Sequence, residues 1–379
     1  MNKIAMGIWL AMVLVLIAAA MQQNLSGFTS MQGQSPAQNE IVVGVLLPLT
    51  GSFAFFGEQA KDGALVALEE INASNKQKIR LVFEDDKCLP SDAVTAYRKL
   101  VNFDNPDIIV GPACTGSILS VAPQALGDGR EMLAIFDASE AIAKEGSQNK
   151  MLHSLGFSSE EEGYLVAEYL ISKNLKTAAI IFDEDEWASL VKNAFKRRFE
   201  SLGGTVLAEE AHNVKDNDYK TNILKVVTSS PQALYIAPAY NGGFALKQLR
   251  ELGVQIPVFG PDTFGINGVL EVAGNAADGA IYSNVVIDEN SAGALKFQEK
   301  YSAKYGKESD SLLFVAFGYD SVKIAYRILS QYNSINGGFA KINYGDGIIS
   351  VAGFDSNGMA KMKPVLMKIE NQKFERLDE

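Results

Sequence analysis

Strand-like apolar runs alternate with helical stretches along almost the whole chain. That alternation restricts it to parallel sheets flanked by crossover helices. The first unit shows the pattern. Ile41 to Leu47 (IVVGVLL) is rich in Val and Ile and bounded by Pro48 and Gly51, as expected of a strand buried on both faces. A helix should follow, because Ala60, Ala64, Ala67, Leu68 and Ile71 recur at three- and four-residue spacing, with Glu58, Lys61, Asp62, Glu69 and Glu70 largely opposite. Between them a loop, Thr50 to Gly57, holds Phe53, Phe55 and Phe56. In an open α/β sheet, ligands bind outside the carboxyl ends of the strands, where this loop would sit. Capping of the core is the plain alternative for any one of the rings.

The pattern continues with strands at Ile79 to Glu84, Asp107 to Val110 and Met132 to Phe136, and with helices from Ser91 to Asn102 and near Ser117. Ser91 is well placed to cap its helix. From His153 to Ser159 no clear element is legible. A second series then has strands at Thr177 to Phe182, Thr205 to Ala208, Ala233 to Ala237 and Pro257 to Gly260. Its helices run from Trp187 to Ser201, Tyr219 to Thr228 and Gly243 to Leu252. Ala280 to Ile287 is again extended, helices follow at Ala292 to Tyr305 and Leu312 to Ser330, and Ile348 to Phe374 alternates like hairpin strands. Two similar halves emerge, and 379 residues suit two domains better than one.

Lys3, the apolar Ile8 to Ala20 and the small residues Ala18 to Ala20 read as an export signal over residues 1–20, with an uncleaved anchor as the alternative. Residues 21–40, rich in Gln, Ser, Asn and Gly, read as a flexible linker. In an exported protein the two cysteines, Cys88 and Cys114, read as one disulfide, which would stabilise the fold by roughly 3 to 4 kcal/mol. A metal site is the competing idea, but a Cys pair with the distant His153 and His212 is a poor ligand set. A net charge of −11 without clustered Lys and Arg argues against a nucleic-acid partner. Nucleophile elbow, P-loop and zincin motifs are absent, and neither histidine has an obvious partner, so a hydrolase is disfavoured. The Gly51 to Gly57 loop lacks the glycine pattern of a dinucleotide-binding turn.

Seven segments in order carry a resemblance. They are IVVGVLLPLTGSFAFFGEQAKDGALVALEEIN, DDKCLPSDAV, IIVGPACTGS, AAIIFDEDEW, LYIAPAY, VFGPD and GFDSNG. Together they resemble the branched-chain amino acid-binding type of periplasmic solute-binding protein, the receptor of an ABC importer. The resemblance spans about Ile41 to Phe374. It implies an α/β, type I fold with two lobes, each a mostly parallel sheet flanked by helices, joined by three crossings. It places the first lobe at 41–154 plus 285–343 and the second at 155–284 plus 344–379. It also implies that Cys88 and Cys114 are the family's disulfide pair, that no cofactor is needed, and that a monomer delivers a small solute to a membrane permease.

Position by position, the resemblance assigns the ligand carboxylate to Thr115, which with Gly116 and Ser117 opens a helix whose free N–H groups favour an anion. A plain N-cap is the simpler role. Ala138 and Ser139 would supply a carbonyl and a hydroxyl. Trp187 and Tyr240 are the second lobe's aromatics, though each alone could be core, and Phe56 and Phe314 would line the side-chain pocket. Asp262 would pair with the ligand's ammonium group, the alternative being a cap or turn residue. Three positions depart from the family pattern. Glu140 stands where several relatives have a small hydroxyl residue, and would repel a carboxylate if it faced the cleft. Asp262 replaces a longer Glu, and Trp187 replaces a Tyr. The expected ligands are therefore branched or other apolar amino acids first, then small amides or aromatic carboxylates. A sensory ectodomain of the same fold is the third reading, which would require an uncleaved anchor and a separate partner.

Overall fold

The computed structural model describes residues 40–332, 335–349 and 351–377; the export and linker segments expected over 1–40 lie, but for residue 40, outside them. β1 (Ile41–Leu47) is apolar throughout and almost wholly buried, and it pairs in parallel with a strand on each side. α1 (Ala54–Ser74), β2 (Ile79–Asp85), α2 (Pro90–Lys99), β3 (Ile108–Val110), α3 (Thr115–Gly127), β4 (Met132–Asp137), α4 (Glu140–Gln148) and β5 (Leu152–Phe157) follow. The sheet order is β2-β1-β3-β4-β5, all parallel.

The second lobe runs through α5 (Ser159–Ser172), β6 (Thr177–Asp183), α6 (Glu186–Ser201), β7 (Thr205–His212), α7 (Lys220–Val227), β8 (Ala233–Ala237), α8 (Gly242–Glu251), β9 (Val258–Gly260), α9 (Asn267–Ala273) and β10 (Ile281–Asn284). Its parallel strands, β7-β6-β8-β9-β10, repeat the order of the first lobe, and the antiparallel β11 (Val365–Glu370) and β12 (Lys373–Arg376) extend the edge beyond β10. In both sheets the order reverses beside the lobe's first strand. The crevices therefore open at the carboxyl ends of β1, β3 and β4, and of β6, β8 and β9.

Between β10 and β11 the chain returns to the first lobe as α10 (Ala292–Tyr305) and α11 (Leu312–Gln331). α11 lies against α1 at two glycines. A methyl built on Gly318 would overlap the carbonyl of Ala60, and one on Gly63 that of Val315, so the two backbones touch directly. Three crossings join the lobes: after β5, after β10 and before β11.

The third crossing is later than the expected 343–344. Tyr344, Ile348, Ile349, Val351 and Ala360 pack into the same core as β1 and α11, and Met359 bridges to Ser154 of β5. Asp320 of α11 holds this segment by accepting from the Tyr344 hydroxyl at 2.5 Å and the Ile349 N–H at 2.6 Å. The apolar side chains of 344–351 thus find their core in the first lobe. Other expectations shift locally. Pro90 takes the first helical position and Leu89 the cap, so Ser91 is inside α2. α1 begins at Ala54, which makes Phe53 its cap residue and puts Phe55 and Phe56 in its first turn. Cys88 and Cys114 form a disulfide, with Cα atoms 5.4 Å apart, between the loop after β2 and the cap of α3. Among the described residues no helix is long and apolar enough to cross a membrane.

Candidate functional site

Aromatic rings line the crevice and pass from one lobe to the other. Phe56 meets Phe314 edge-on at 4.8 Å between centroids, Phe314 meets Phe136 at 5.5 Å, and Phe53 stacks on Phe56 at 6.1 Å. Phe53 in turn meets Tyr240 of the second lobe at 5.8 Å. The Tyr240 hydroxyl donates to the Val214 carbonyl at 2.9 Å, which leaves only its ring for the crevice. Phe56, Phe314 and Tyr240 are therefore brought together, with Phe53 as the link. Trp187 is not part of this string. It stands partly buried in the first turn of α6 and packs against the second lobe's helix-side core.

Phe136, the last residue but one of β4, has φ of +72°, a conformation costly for a residue with a bulky side chain. Its ring packs on Phe314 and Phe317, and the next residue, Asp137, becomes the centre of a polar cluster. The Asp137 carboxylate accepts from the Thr115 hydroxyl at 2.6 Å, the Ser159 hydroxyl at 2.8 Å and the Ser139 N–H at 2.9 Å. Burial pushes its carboxyl above the ordinary range despite these donors. Thr115, Ala138 and Ser139 are all buried around it. The one proton of the Thr115 hydroxyl is directed at a carboxylate of the protein itself, and Asp137 has no part in the sequence reading.

Asp262 follows β9, partly exposed as a residue, with a buried Oδ1 that has no partner. Its backbone N–H donates to Glu162 Oε2 at 2.9 Å, which also accepts from the Ser283 hydroxyl at 3.1 Å. Glu162 lies in α5, fully buried, its Oε1 unpaired. Burial, with the nearby Asp137 adding to it, pushes Asp262 up to about 7; burial and the neighbouring Asp262 push Glu162 well above the carboxylate range. Glu162 was illegible as a site residue, since a run of three glutamates reads as a solvated helix start.

Glu140 points to the rim, where it accepts from the Tyr164 hydroxyl at 2.8 Å and pairs with Arg197 at 3.2 Å, both from the second lobe. The pair is well exposed, so Arg197→Ala is expected to change unfolding free energy by less than about 1 kcal/mol in a urea titration. The histidines do have partners. His153 Nε2 lies 3.2 Å from Glu131 Oε2, and His212 bonds Asn222 and the Asp216 carbonyl. Both are tied into the fold, stacked on Phe339 and Tyr219. Among the described residues no His, Cys, Asp and Glu group is arranged to hold a metal. A groove of about 380 Å³ lies beside the second crossing, lined by Tyr282, Asn284 and Asp310, with none of the string's rings in its wall.

Buried acids also set the pH response of the fold. Asp86, Asp262 and Asp320 are pushed up to about 7 and Asp185 to about 6, chiefly by burial. Such groups contribute stability fully below the ordinary value of 3.8 and lose it as pH rises through about 6 to 7. Glu70 and Glu209 act oppositely: burial raises them, but Lys300, Tyr319 and Lys323, and Lys192 and Lys196, pull them below 4.5. Their contribution is lost as pH falls below that value. Calorimetry should therefore find the melting temperature highest near about pH 4, lower at pH 5 and lower still at pH 8. A midpoint that rises from pH 5 to 8 would contradict these assignments.

Known proteins resemble this chain in sequence and in fold. Leu/Ile/Val-binding protein BraC3 of Rhizobium johnstonii is 27% identical over 254 residues, covering 65% of this chain and 68% of that protein. The leucine-, isoleucine-, valine-, threonine-, and alanine-binding protein of Pseudomonas aeruginosa is 26% identical over 262 residues, 68% of this chain and 69% of its own. In fold, the Streptococcus pneumoniae branched-chain amino acid transporter substrate-binding protein LivJ, solved with isoleucine, superimposes with a TM-score of 0.77 at 24% identity, over 89% of this chain and 99% of that one. The family model for periplasmic binding proteins matches residues 40–338, most of the described chain, and with the two-lobed fold it establishes that the chain belongs to the periplasmic binding protein family.

Proposed function

We propose that this chain captures a small solute between its lobes, outside the cytoplasm, and delivers it to the membrane permease of an ABC importer. The solute bears an ammonium group and an apolar stem, amino acids being the class named for the curated relatives. One observation carries the reading. Asp262 presents a buried, unpaired carboxylate oxygen within electrostatic range of Asp137, whose neighbour Phe136 packs on Phe314 and so joins the ring string of Phe56, Phe53 and Tyr240. A desolvated carboxylate without a partner is costly, and a cationic solute removes that cost. Rings from both lobes can clasp an apolar stem only when the lobes are shut, so the solute selects the closed form. Phe56, Phe314 and Tyr240 take the stem, Asp262 the ammonium, and Thr115, Ala138 and Ser139 border the polar end. Trp187 stands at the edge. No bond is made or broken.

Native mass spectrometry of protein purified without denaturation tests the reading directly. A retained small molecule that exchanges unchanged with added solute is the expected result. Conversion of that molecule into a product would overturn the non-catalytic assignment.

A further inference from the structure

The polar end of the crevice holds four carboxylates. Asp137 acts electrostatically on Glu160, Glu162 and Asp262, and Asp262 acts on Glu162. Their hydrogen-bond partners are hydroxyls and backbone N–H groups. Asp137 has Thr115, Ser159 and Ser139, and Glu160 has the Glu140 N–H at 3.0 Å and the Ser158 hydroxyl at 3.1 Å. Glu162 has the Asp262 N–H and Ser283. Among the described residues none of the four has a Lys, Arg or His within salt-bridge distance, and the one cation acting on them from farther off is Arg197, on Glu160.

Two further groups are left open toward this cluster. Glu162 Oε1 is fully buried and unpaired, and so is the hydroxyl of Tyr235 on β8, on which Glu162 and Asp262 act electrostatically. An unpaired acceptor beside an unpaired donor and acceptor is a place for a polar group from outside. The N-terminus of α3, by contrast, is already served. Its Thr115 hydroxyl donates to Asp137, and a methyl built at Gly116 would strike the Glu186 carboxylate, so a second carboxylate of the protein lies over this helix end. A solute carboxylate placed there would find the Thr115 hydroxyl already donated to one acid and the carboxylate of another in its way.

We infer that the solute is a protonated amine without a free carboxylate, its ammonium held among Asp262, Glu162 and Asp137 and its apolar stem against the Phe56 and Phe314 rings. The inference rests on the solute-capture reading and specifies its chemistry. An amine supplies up to three N–H donors, which matches the unpaired oxygens of Glu162 and Asp262.

Four probes that share one branched stem separate the two polar ends: leucine, leucinamide, isoamylamine and isocaproate. Isothermal titration at neutral pH should find leucinamide and isoamylamine binding about tenfold or more tighter than leucine, with isocaproate inert. Leucine binding as tightly as leucinamide would overturn the inference and leave solute capture standing. Binding of isocaproate would overturn it together with the ammonium role of Asp262. If none of the four binds, the inference falls, and the retained mass in native spectrometry judges solute capture separately. In Asp137→Asn, checked for folding by circular dichroism, leucine should gain about tenfold on leucinamide, since one of the two acidic groups at the helix end is gone. An unchanged ratio in the folded variant would overturn the inference; if the variant does not fold, the four-probe series on the native chain decides.

Discussion

Valine in place of Gly318 is expected to be the most damaging single substitution in the first lobe. α1 and α11 meet backbone to backbone there, and the obstructing atoms are the carbonyl and Cα of Ala60, which no rotamer change can move. The helices must separate, and separation opens the layer formed by the fully buried Ala60, Ala64, Ala67, Val315 and Val322. Overpacking alone typically costs 1 to 3 kcal/mol; with the backbone as the obstacle we expect about 3 to 5 kcal/mol. In a chain of this size that corresponds to a fall of roughly 4 to 7 °C in melting temperature. Gly318→Ala should be milder and more informative about function. Phe314 lies one turn earlier on α11, so a small displacement of the helix moves the ring that touches Phe56 and Phe136. A melting temperature for Gly318→Val within about 2 °C of the parent would show that the helices part without loss.

How much of this was legible beforehand follows from where each signal resides. β1 was legible because a strand buried on both faces is apolar at nearly every position, and Ile41–Leu47 is such a run. α10 was legible because Ser291 caps it, its hydroxyl accepting from the Ala294 N–H at 3.2 Å, and Gly306 ends it with φ of +70°. β5 was not, since LHSLGF mixes His, Ser and Gly into six buried residues, and its strand character comes from pairing with β4. The backbone contact at Gly63 and Gly318 is likewise absent from any local pattern, because it depends on two helices some 250 residues apart. Phe56, Phe314 and Asp262 entered as candidates through resemblance, and the fold brings the first two into ring contact. Asp137 and Glu162 escaped notice because their meaning lies in each other. One closes a strand and the other sits in a glutamate run, and only the crossing after β5 brings these acids together. Glu140 shows the reverse, a residue suspected of facing the cleft that the fold turns to Arg197 at the rim.

Asp262→Ala should separate binding from stability, with effects of opposite sign. Truncating one partner of a desolvated charge pair costs about 2 to 5 kcal/mol, so affinity for the captured solute should fall by about thirtyfold or more. The free protein, however, loses a carboxylate that burial pushes up to about 7 and that faces Glu162 and Asp137 without a counter-charge. Its melting temperature near pH 8 should therefore hold or rise, because at that pH the folded state no longer bears the cost of ionising this buried group. Proton linkage gives a second readout. Below about pH 7 Asp262 is largely protonated in the free crevice, and an ammonium group binds best to the ionised form, so capture releases a proton. Affinity should weaken as pH falls from 7 to 5, by up to about tenfold per pH unit for this one group, and Asp262→Ala should flatten that slope. Titration calorimetry in buffers of different ionisation enthalpy measures the released proton directly. A variant that binds as tightly as the native chain, with the same proton release, would remove Asp262 from the site and leave Glu162 as the acid that meets the solute.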